Sequence, residues 1–397
     1  METTENRIFI GRQAIYDQDG KVLGYELLSG TAESEQTPGA ELILNAFLET
    51  GFEKIVGPHK AFVEMEADFL INMSPLPFDA ETTVLMLSAN TPITEPFSEC
   101  MQNCLASHYQ IALANYAFQP QWEELLEHID YVQIDTENFE IANKPELRTL
   151  IDTNTALIAA NINNAETQEQ FEAMGCRYFQ GIHFSRPGLI ATKTLAENEV
   201  IVLQLLASLN DPDVTIESLD KLIQQDPVLS YKILRYINSA AIGLRTKVDS
   251  IKQAVVLIGL KRIKAWASVL AISGMKSTNQ DLLVNAVVRA FMCQSLATRT
   301  SSINPDTAFT VGTLSILDVL MQTPMANVLE QLPLADEISS ALLDRDGLLG
   351  QALECAIAYE QLDWENAAFE GCDSDCLNEI YLNSSHEGFR AVMGMEV

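Results

Sequence analysis

Hydrophobic and polar positions follow two different rhythms along this chain. In the first half, short runs rich in β-branched and aromatic residues recur: Arg7–Asp17, Val22–Ser29, Phe62–Glu66, Val84–Ala89, Gln110–Tyr116, Tyr131–Asp135, Ala156–Ile162 and Tyr178–Phe184. Such runs read as strands. Asp17-Gln-Asp-Gly20 is a turn, so the first two form a hairpin. Stretches of helical period (Ala40–Phe52, Trp122–His128 and Glu166–Met174) separate later strands. Strand–helix alternation of this length predicts a parallel α/β sheet or barrel, with any chemistry at the carboxyl ends of the strands.

Pro187-Gly188 breaks that rhythm, and from Glu197 onward the period is helical almost without interruption. Asn210-Asp-Pro-Asp213 is a turn, and Asp226-Pro227 reads as a helix start. Leu229, Ile233, Leu234 and Ile237 then share one face. Ser250 caps the next helix, with Ile251, Val255 and Ile258 inward and Gly259 as its stop. Ile263, Trp266, Ala267 and Leu270 repeat the spacing. Two domains are expected, 1–190 and 191–397, the second all-helical.

The 397 residues suffice for two sizeable cores, and 47% apolar with 20% charged residues is ordinary for a globular chain. The apolar run Ala265–Ile272 is too short for a bilayer, and the polar, acidic start lacks a secretory pattern, so a cytoplasmic location and no membrane partner are expected. Seven scattered cysteines then read as reduced thiols. Cys100/Cys104 and Cys372/Cys376 lack the tighter spacing and second pair of a zinc site.

The net charge is −31, which argues against duplex nucleic acid. The charge is uneven. Between Tyr231 and Gln280 nine basic side chains stand against one acid, a local excess of eight that leaves the remainder at −39. Arg235, Lys261, Arg262 and Lys264 are the candidates there for receiving an acidic partner protein or the chain's own barrel; a solvated helix face is the bland reading. Lys261, Arg262 and Lys264 share one helix turn beside Trp266.

Several motifs resemble a known arrangement. Arg12-Gln-Ala-Ile-Tyr-Asp17 with Gly24-Tyr-Glu-Leu-Leu28, and later Gly175-Cys-Arg-Tyr-Phe-Gln-Gly-Ile-His-Phe-Ser-Arg-Pro187, resemble the opening and close of the EAL-type cyclic di-GMP phosphodiesterase barrel. Leu209-Asn-Asp-Pro-Asp-Val214, Ile223-Gln-Gln-Asp-Pro227, Lys232-Ile-Leu-Arg-Tyr-Ile-Asn-Ser239 and Ala254-Val-Val-Leu-Ile-Gly-Leu-Lys-Arg262 resemble the HDOD domain. Their order is that of the EAL–HDOD two-domain signalling family. The resemblance implies an α/β TIM-like barrel followed by an all-α HDOD domain.

Carried over position by position, the family's catalytic pattern is largely replaced. Glu26 matches the first metal-binding glutamate, but the phosphate-holding arginine four residues on is Gly30. Asn72 resembles the next ligand yet lies too close to the following strand; the better register puts Glu64 there. Met86 and Ala89 stand where a glutamate and its related position are expected, Ala114 and Asn115 where paired aspartates are, and Gln133 where a lysine is. Ala160 and Asn163 replace late glutamates, while Asp135 and Gln180 are retained.

Two divalent ions need several hard anionic oxygens, and Glu26, Glu64 and Asp135 could hold at most one weak Mg²⁺ or Mn²⁺. No cofactor is therefore expected, and Glu26 reads as an inherited carboxylate bonded to nearby backbone or water. In the helical half only His386 follows residue 195, too few histidines for the metal site of HD hydrolases; Ser315 takes the expected histidine position. Ser315 and Asp318 read as helix-surface or capping residues.

The expectation is a pseudoenzyme: a non-catalytic regulator acting by binding in cyclic di-GMP-related control of motility or biofilm. The alternatives are a residual or atypical cyclic di-GMP phosphodiesterase and a non-catalytic cyclic di-GMP receptor. A homodimer through the helical surfaces is compatible with the sequence.

Overall fold

The computed structural model describes residues 8–31, 53–73, 76–139, 150, 155–181, 205–209, 215–224, 233–234, 237–238, 248, 250–273, 280–321, 323–330, 332 and 334–396. The expected helix at Ala40–Phe52, the turn at Asn210–Asp213, the Asp226-Pro227 cap and Arg235 lie outside these residues. The chain divides into two compact units, Met1–Arg186 and Pro187–Val397.

All eight expected strands form: β1 Ile8–Asp17, β2 Val22–Thr31, β3 Lys60–Met65, β4 Thr83–Ser88, β5 Gln110–Ala114, β6 Tyr131–Asp135, β7 Ala156–Ala160 and β8 Tyr178–Phe179. They close into one barrel in sequence order. β1 runs antiparallel to both neighbours, and the remaining pairings are parallel. The hairpin turn is held by Asp17, whose carboxylate accepts from the backbone N–H groups of Asp19 (2.9 Å) and Lys21 (2.8 Å).

Strand period two sends alternate side chains into the barrel. Ile15, Phe62, Val84, Met86, Ala112, Ala114, Tyr131 and Ile158 form that interior cluster, all buried. Phe62 meets Tyr131 edge-on at 5.2 Å, and Tyr131 meets Tyr178 at 6.1 Å. The interior is thus a packed core rather than a pore.

Four helices are described around the barrel: α1 Glu53–Val56, α2 Ala67–Asn72, α3 Glu95–Ala106 and α4 Ala165–Ala173. The expected helix at Trp122–His128 is instead two 3₁₀ turns, Pro120–Trp122 and Leu126–His128. Tertiary anchoring overrides the helical period here. Trp122 is fully buried, stands at right angles to Phe97 and donates its indole N–H to the Ala89 carbonyl at 2.8 Å, which holds the segment against the end of β4.

The second unit is helical in every described element: α5 Ile216–Gln224, α6 Ile251–Ile258, α7 Leu260–Ser273, α8 Gln280–Ala297, α9 Pro305–Leu314, α10 Leu317–Met321, α11 Met325–Leu329, α12 Asp336–Leu343, α13 Gly347–Glu360 and α14 Ser374–Glu396. Ser250 caps α6 through the Gln253 N–H, and Gly259 ends it at φ +90°. Trp266 is buried in a cluster with Phe291 and Phe309, so it is not part of a surface with the neighbouring basic residues. No described helix is long and apolar enough to cross a membrane.

The reading of all seven cysteines as thiols is corrected. Cys372 and Cys376 form a disulfide, because the start of α14 brings their Cα atoms to 5.4 Å, within bridging range.

α8 is the central helix of this unit, packed against α9, α13 and α14. Gly312 permits the closest approach. A methyl group there would lie 2.5 Å from the Ala290 Cα and 2.9 Å from the Arg289 carbonyl oxygen. Gly312→Ala is therefore expected to separate α8 from α9 and cost about 1–3 kcal/mol. Denaturant unfolding followed by helical circular dichroism measures this, and an unchanged midpoint would refute the packing argument.

Candidate functional site

The interior residues toward the carboxyl ends of the strands are polar. Glu26 stands on β2, Gln13 pairs with it on β1, Gln133 lies on β6 and Gln180 follows β8. The β1–β2 hairpin, β6 and the residue after β8 thus bring four polar side chains into one space. Gln180 Nε2 donates to Glu26 Oε2 at 2.6 Å and to Gln13 Oε1 at 2.9 Å. Gln133 Nε2 donates to the same Glu26 oxygen at 3.1 Å and to Gln180 Oε1 at 3.0 Å. Both amides therefore use both donors inside the network. Gly181 makes this placement feasible: at φ +152° its backbone runs so close to Ile162 that a Cβ would lie 2.4 Å from that residue's main chain.

Glu26 is 8% exposed, and burial raises its carboxyl above the ordinary 4.5. The amides of Gln180 and Gln133 oppose that rise, and the charge of Glu64 adds to it. Glu64 sits on β3 opposite Met86, open to solvent at its tip yet hemmed in by protein. Partial desolvation first, then Glu66, raises its carboxyl as well. Asp135 ends β6 and moves the other way. Burial works to raise it, but the amides of Asn161 and Asn138 and the N–H of Glu137 outweigh burial and lower it.

The positions without a carboxylate lie on the strands or just after them. Gly30 pairs with Phe9, Met86 is buried on β4, Ala89 follows it, Ala114 ends β5 and Ala160 ends β7. Asn115 is exposed with φ +53°, and Asn163 donates to Glu137 at 2.8 Å. Asn72 lies in α2 rather than on a strand, its amide turned to the Asp68 carbonyl, and Glu64 is the one of the two that lies on β3. The expected backbone or water partners of Glu26 are side-chain amides instead.

These donors do not fit a two-metal centre. Glu26 shares one oxygen with two amides, Asp135 is engaged by Asn161, Asn138 and the Glu137 N–H, and among the described residues no three His, Cys, Asp or Glu side chains gather to hold an ion.

In the helical unit the polar groups missed by the sequence reading are Arg289, Glu360 and Arg345. Arg289, buried in α8, donates from Nε (2.9 Å) and Nη2 (2.7 Å) to Glu360 Oε2, and from Nη1 to Ser315 Oγ at 2.8 Å. The Ser315 hydroxyl in turn donates a hydrogen bond to the Gly312 carbonyl at 2.7 Å. Ser315 closes α9 but is 6% exposed, so the helix-surface reading is corrected. Asp318 is half-buried, and desolvation raises its carboxyl despite Arg289 and Arg345 nearby. The sequence signal was a lone arginine in the otherwise apolar run Ala286–Met292. Of the basic candidates, Lys261 and Arg262 are exposed and Lys264 is half-buried. The adjoining helix exposes Val256 (80%) and Leu257 (52%).

A closed α/β barrel precedes an all-helical unit, and the comparisons give both a kinship. Residues 195–345 match the HDOD domain. The chain is 28% identical over 389 residues to the cyclic di-GMP phosphodiesterase CdgJ of Vibrio cholerae, covering 95% of this chain and 89% of that protein. It is 28% identical to the uncharacterized protein YuxH of Bacillus subtilis, covering 95% and 97%. Among solved structures, an EAL domain protein from Listeria monocytogenes overlays 46% of this chain and 88% of its own, at 14% identity and a TM-score of 0.36. A barrel followed by an HDOD domain is the organisation of the EAL–HDOD two-domain family, which this chain resembles.

That kinship overturns one expectation. A barrel that has lost its reaction does not follow from the missing carboxylates, because a relative matching 95% of this chain is named as a phosphodiesterase. Positions that look isolated along the chain act on one another in the barrel, where the charge of Glu64 helps raise Glu26.

Glu26 gives a pH test. A carboxyl raised in the folded state binds its proton more tightly there, so stability is lost as pH rises from the unfolded value near 4.5 through the folded one. Each unit of difference is worth about 1.4 kcal/mol. Glu26→Gln is expected to match the wild type at pH 4 and exceed it at pH 7. Parallel pH–stability curves from denaturant melts would show that Glu26 does not titrate this way.

Proposed function

We propose that this protein acts in cyclic di-GMP signalling and that its barrel hydrolyses cyclic di-GMP as an atypical phosphodiesterase. What carries the reading is likeness over 95% of the chain to a protein named for that activity. The geometry supports it through Glu26 and Glu64, two coupled carboxyls raised toward the range where proton transfer is effective. Glu64 is the solvent-reachable one: it takes a proton from water as the water oxygen bonds to phosphorus, and that proton is returned to the oxygen that leaves as one phosphodiester P–O bond breaks. Glu26, held by Gln133 and Gln180, keeps a negative charge or a proton beside it and so tunes it.

Purified full-length chain incubated with cyclic di-GMP, in Mg²⁺, Mn²⁺ or chelator, is expected to release linear product. Glu64→Gln should slow release by about 10²-fold or more, the usual weight of a general base. Product formation unaffected by Glu64→Gln refutes the assignment of the base. Absence of product, with binding seen by calorimetry, replaces the reading with the receptor alternative, and absence of both removes cyclic di-GMP altogether.

The exposed Lys261 and Arg262 beside Val256 and Leu257 support a further part of the reading, an acidic partner protein docking on α6 and α7. Lys261→Glu with Arg262→Glu should abolish a salt-sensitive complex in pull-downs with the full chain as bait. Capture of the same partners by the double variant would remove this face from the interaction.

A further inference from the structure

We infer that Cys372 and Cys376 form a reversible thiol–disulfide couple that staples the first turn of α14. Three observations lead there. First, the two sulfurs are bonded, and both residues are only half-buried. Cys104, Cys176, Cys293 and Cys355 are buried, and desolvation pushes their thiols up to about 12. Thiol exchange runs through the thiolate and needs access, so these four are poor participants.

Second, the bridge spans a separation of 4 residues. Closing so short a loop removes little disorder from the unfolded chain, so global stability is a weak reason for it. Its effect is local. Cys372 lies in a tight turn, its N–H donating to the Phe369 carbonyl at 3.1 Å and its backbone bridged to that residue. Cys376 lies in the first turn of α14, its N–H donating to Asp373 Oδ1 at 3.0 Å. The sulfur link therefore ties the turn to the helix start.

Third, that helix start carries core residues. Leu377, Ile380 and Tyr381 are buried, and Tyr381 stacks on Tyr359 at 4.6 Å. Tyr359 also meets Trp364 edge-on at 5.2 Å and donates its hydroxyl proton to Asn378. Opening the bridge frees the turn beside this aromatic group, which gives the redox state a structural consequence and an optical reporter in Trp364.

The co-reactant is a dithiol. One of its thiolates attacks a bridge sulfur, forming a mixed disulfide and releasing the other cysteine as thiolate. Its second thiol then displaces the first, so the dithiol becomes a disulfide and two electrons and two protons pass to Cys372 and Cys376. The reverse exchange with an oxidised dithiol restores the bridge.

The test uses the full-length chain poised in ratios of reduced to oxidised dithiothreitol, with differential alkylation and peptide mass spectrometry. Cys372 and Cys376 are expected to label together, and only after reduction, and to return to the bridged form in oxidised reagent. Amide exchange over 374–381 should quicken about tenfold or more on reduction, with a shift in tryptophan emission. Cys372→Ser with Cys376→Ser should show the fast exchange in either reagent. Two free thiols persisting in oxidised reagent, a bridge surviving excess reductant, or exchange indifferent to the redox state would each overturn the proposal.

Discussion

The barrel is organised around one buried carboxylate. Glu26 stands where charge is costly, and its Oε2 is held by the amides of Gln180 and Gln133. A buried carboxyl is tolerated only when hydrogen-bonded or protonated; here two amides hold it, while burial raises its proton affinity. Because the four participants come from β1, β2, β6 and the residue after β8, the network exists only when the barrel is closed. The polar layer and the apolar layer of Phe62, Val84, Tyr131 and Ile158 are two floors of the same interior. Closure, burial and the raised carboxyls are consequences of one geometry.

The helical unit uses comparable physics with charges of both signs. Arg289 satisfies Glu360 and Ser315 at once, and Gly312 lets α8 and α9 come near enough for that. A buried guanidinium without such acceptors would be strongly unfavourable. The lone arginine in an apolar helix and the glycine on its neighbour are therefore parts of a single arrangement. At the surface of the same unit the exposed cations and apolar side chains of α6 and α7 are arranged differently, with solvent on one side and core on the other.

Reading a pattern of losses as a loss of function was the weakest step from the sequence. Gly30, Met86, Ala114, Asn115 and Asn163 offer no carboxylate. They leave untouched the question of what the remaining groups do together. Glu26 and Glu64 each look like isolated survivors along the chain. In the barrel the charge of Glu64 helps raise Glu26, and that of Glu66 helps raise Glu64, which is information no single position carries.

Period alone determined the elements: eight strands, the hairpin turn, the Ser250 cap and the Gly259 stop were all legible, since side-chain alternation and capping chemistry are local. Register was legible too at Glu64, because the spacing to β4 excluded Asn72. Tertiary structure decided what locality cannot reach. It unwound the expected helix at Trp122, whose indole sought the Ala89 carbonyl, and it joined Gln13, Gln133 and Gln180 on one carboxylate. It also buried Ser315 under Arg289 and brought Cys372 to Cys376. Each of these depends on which groups meet across space, and on the cost of leaving a buried polar group without a partner.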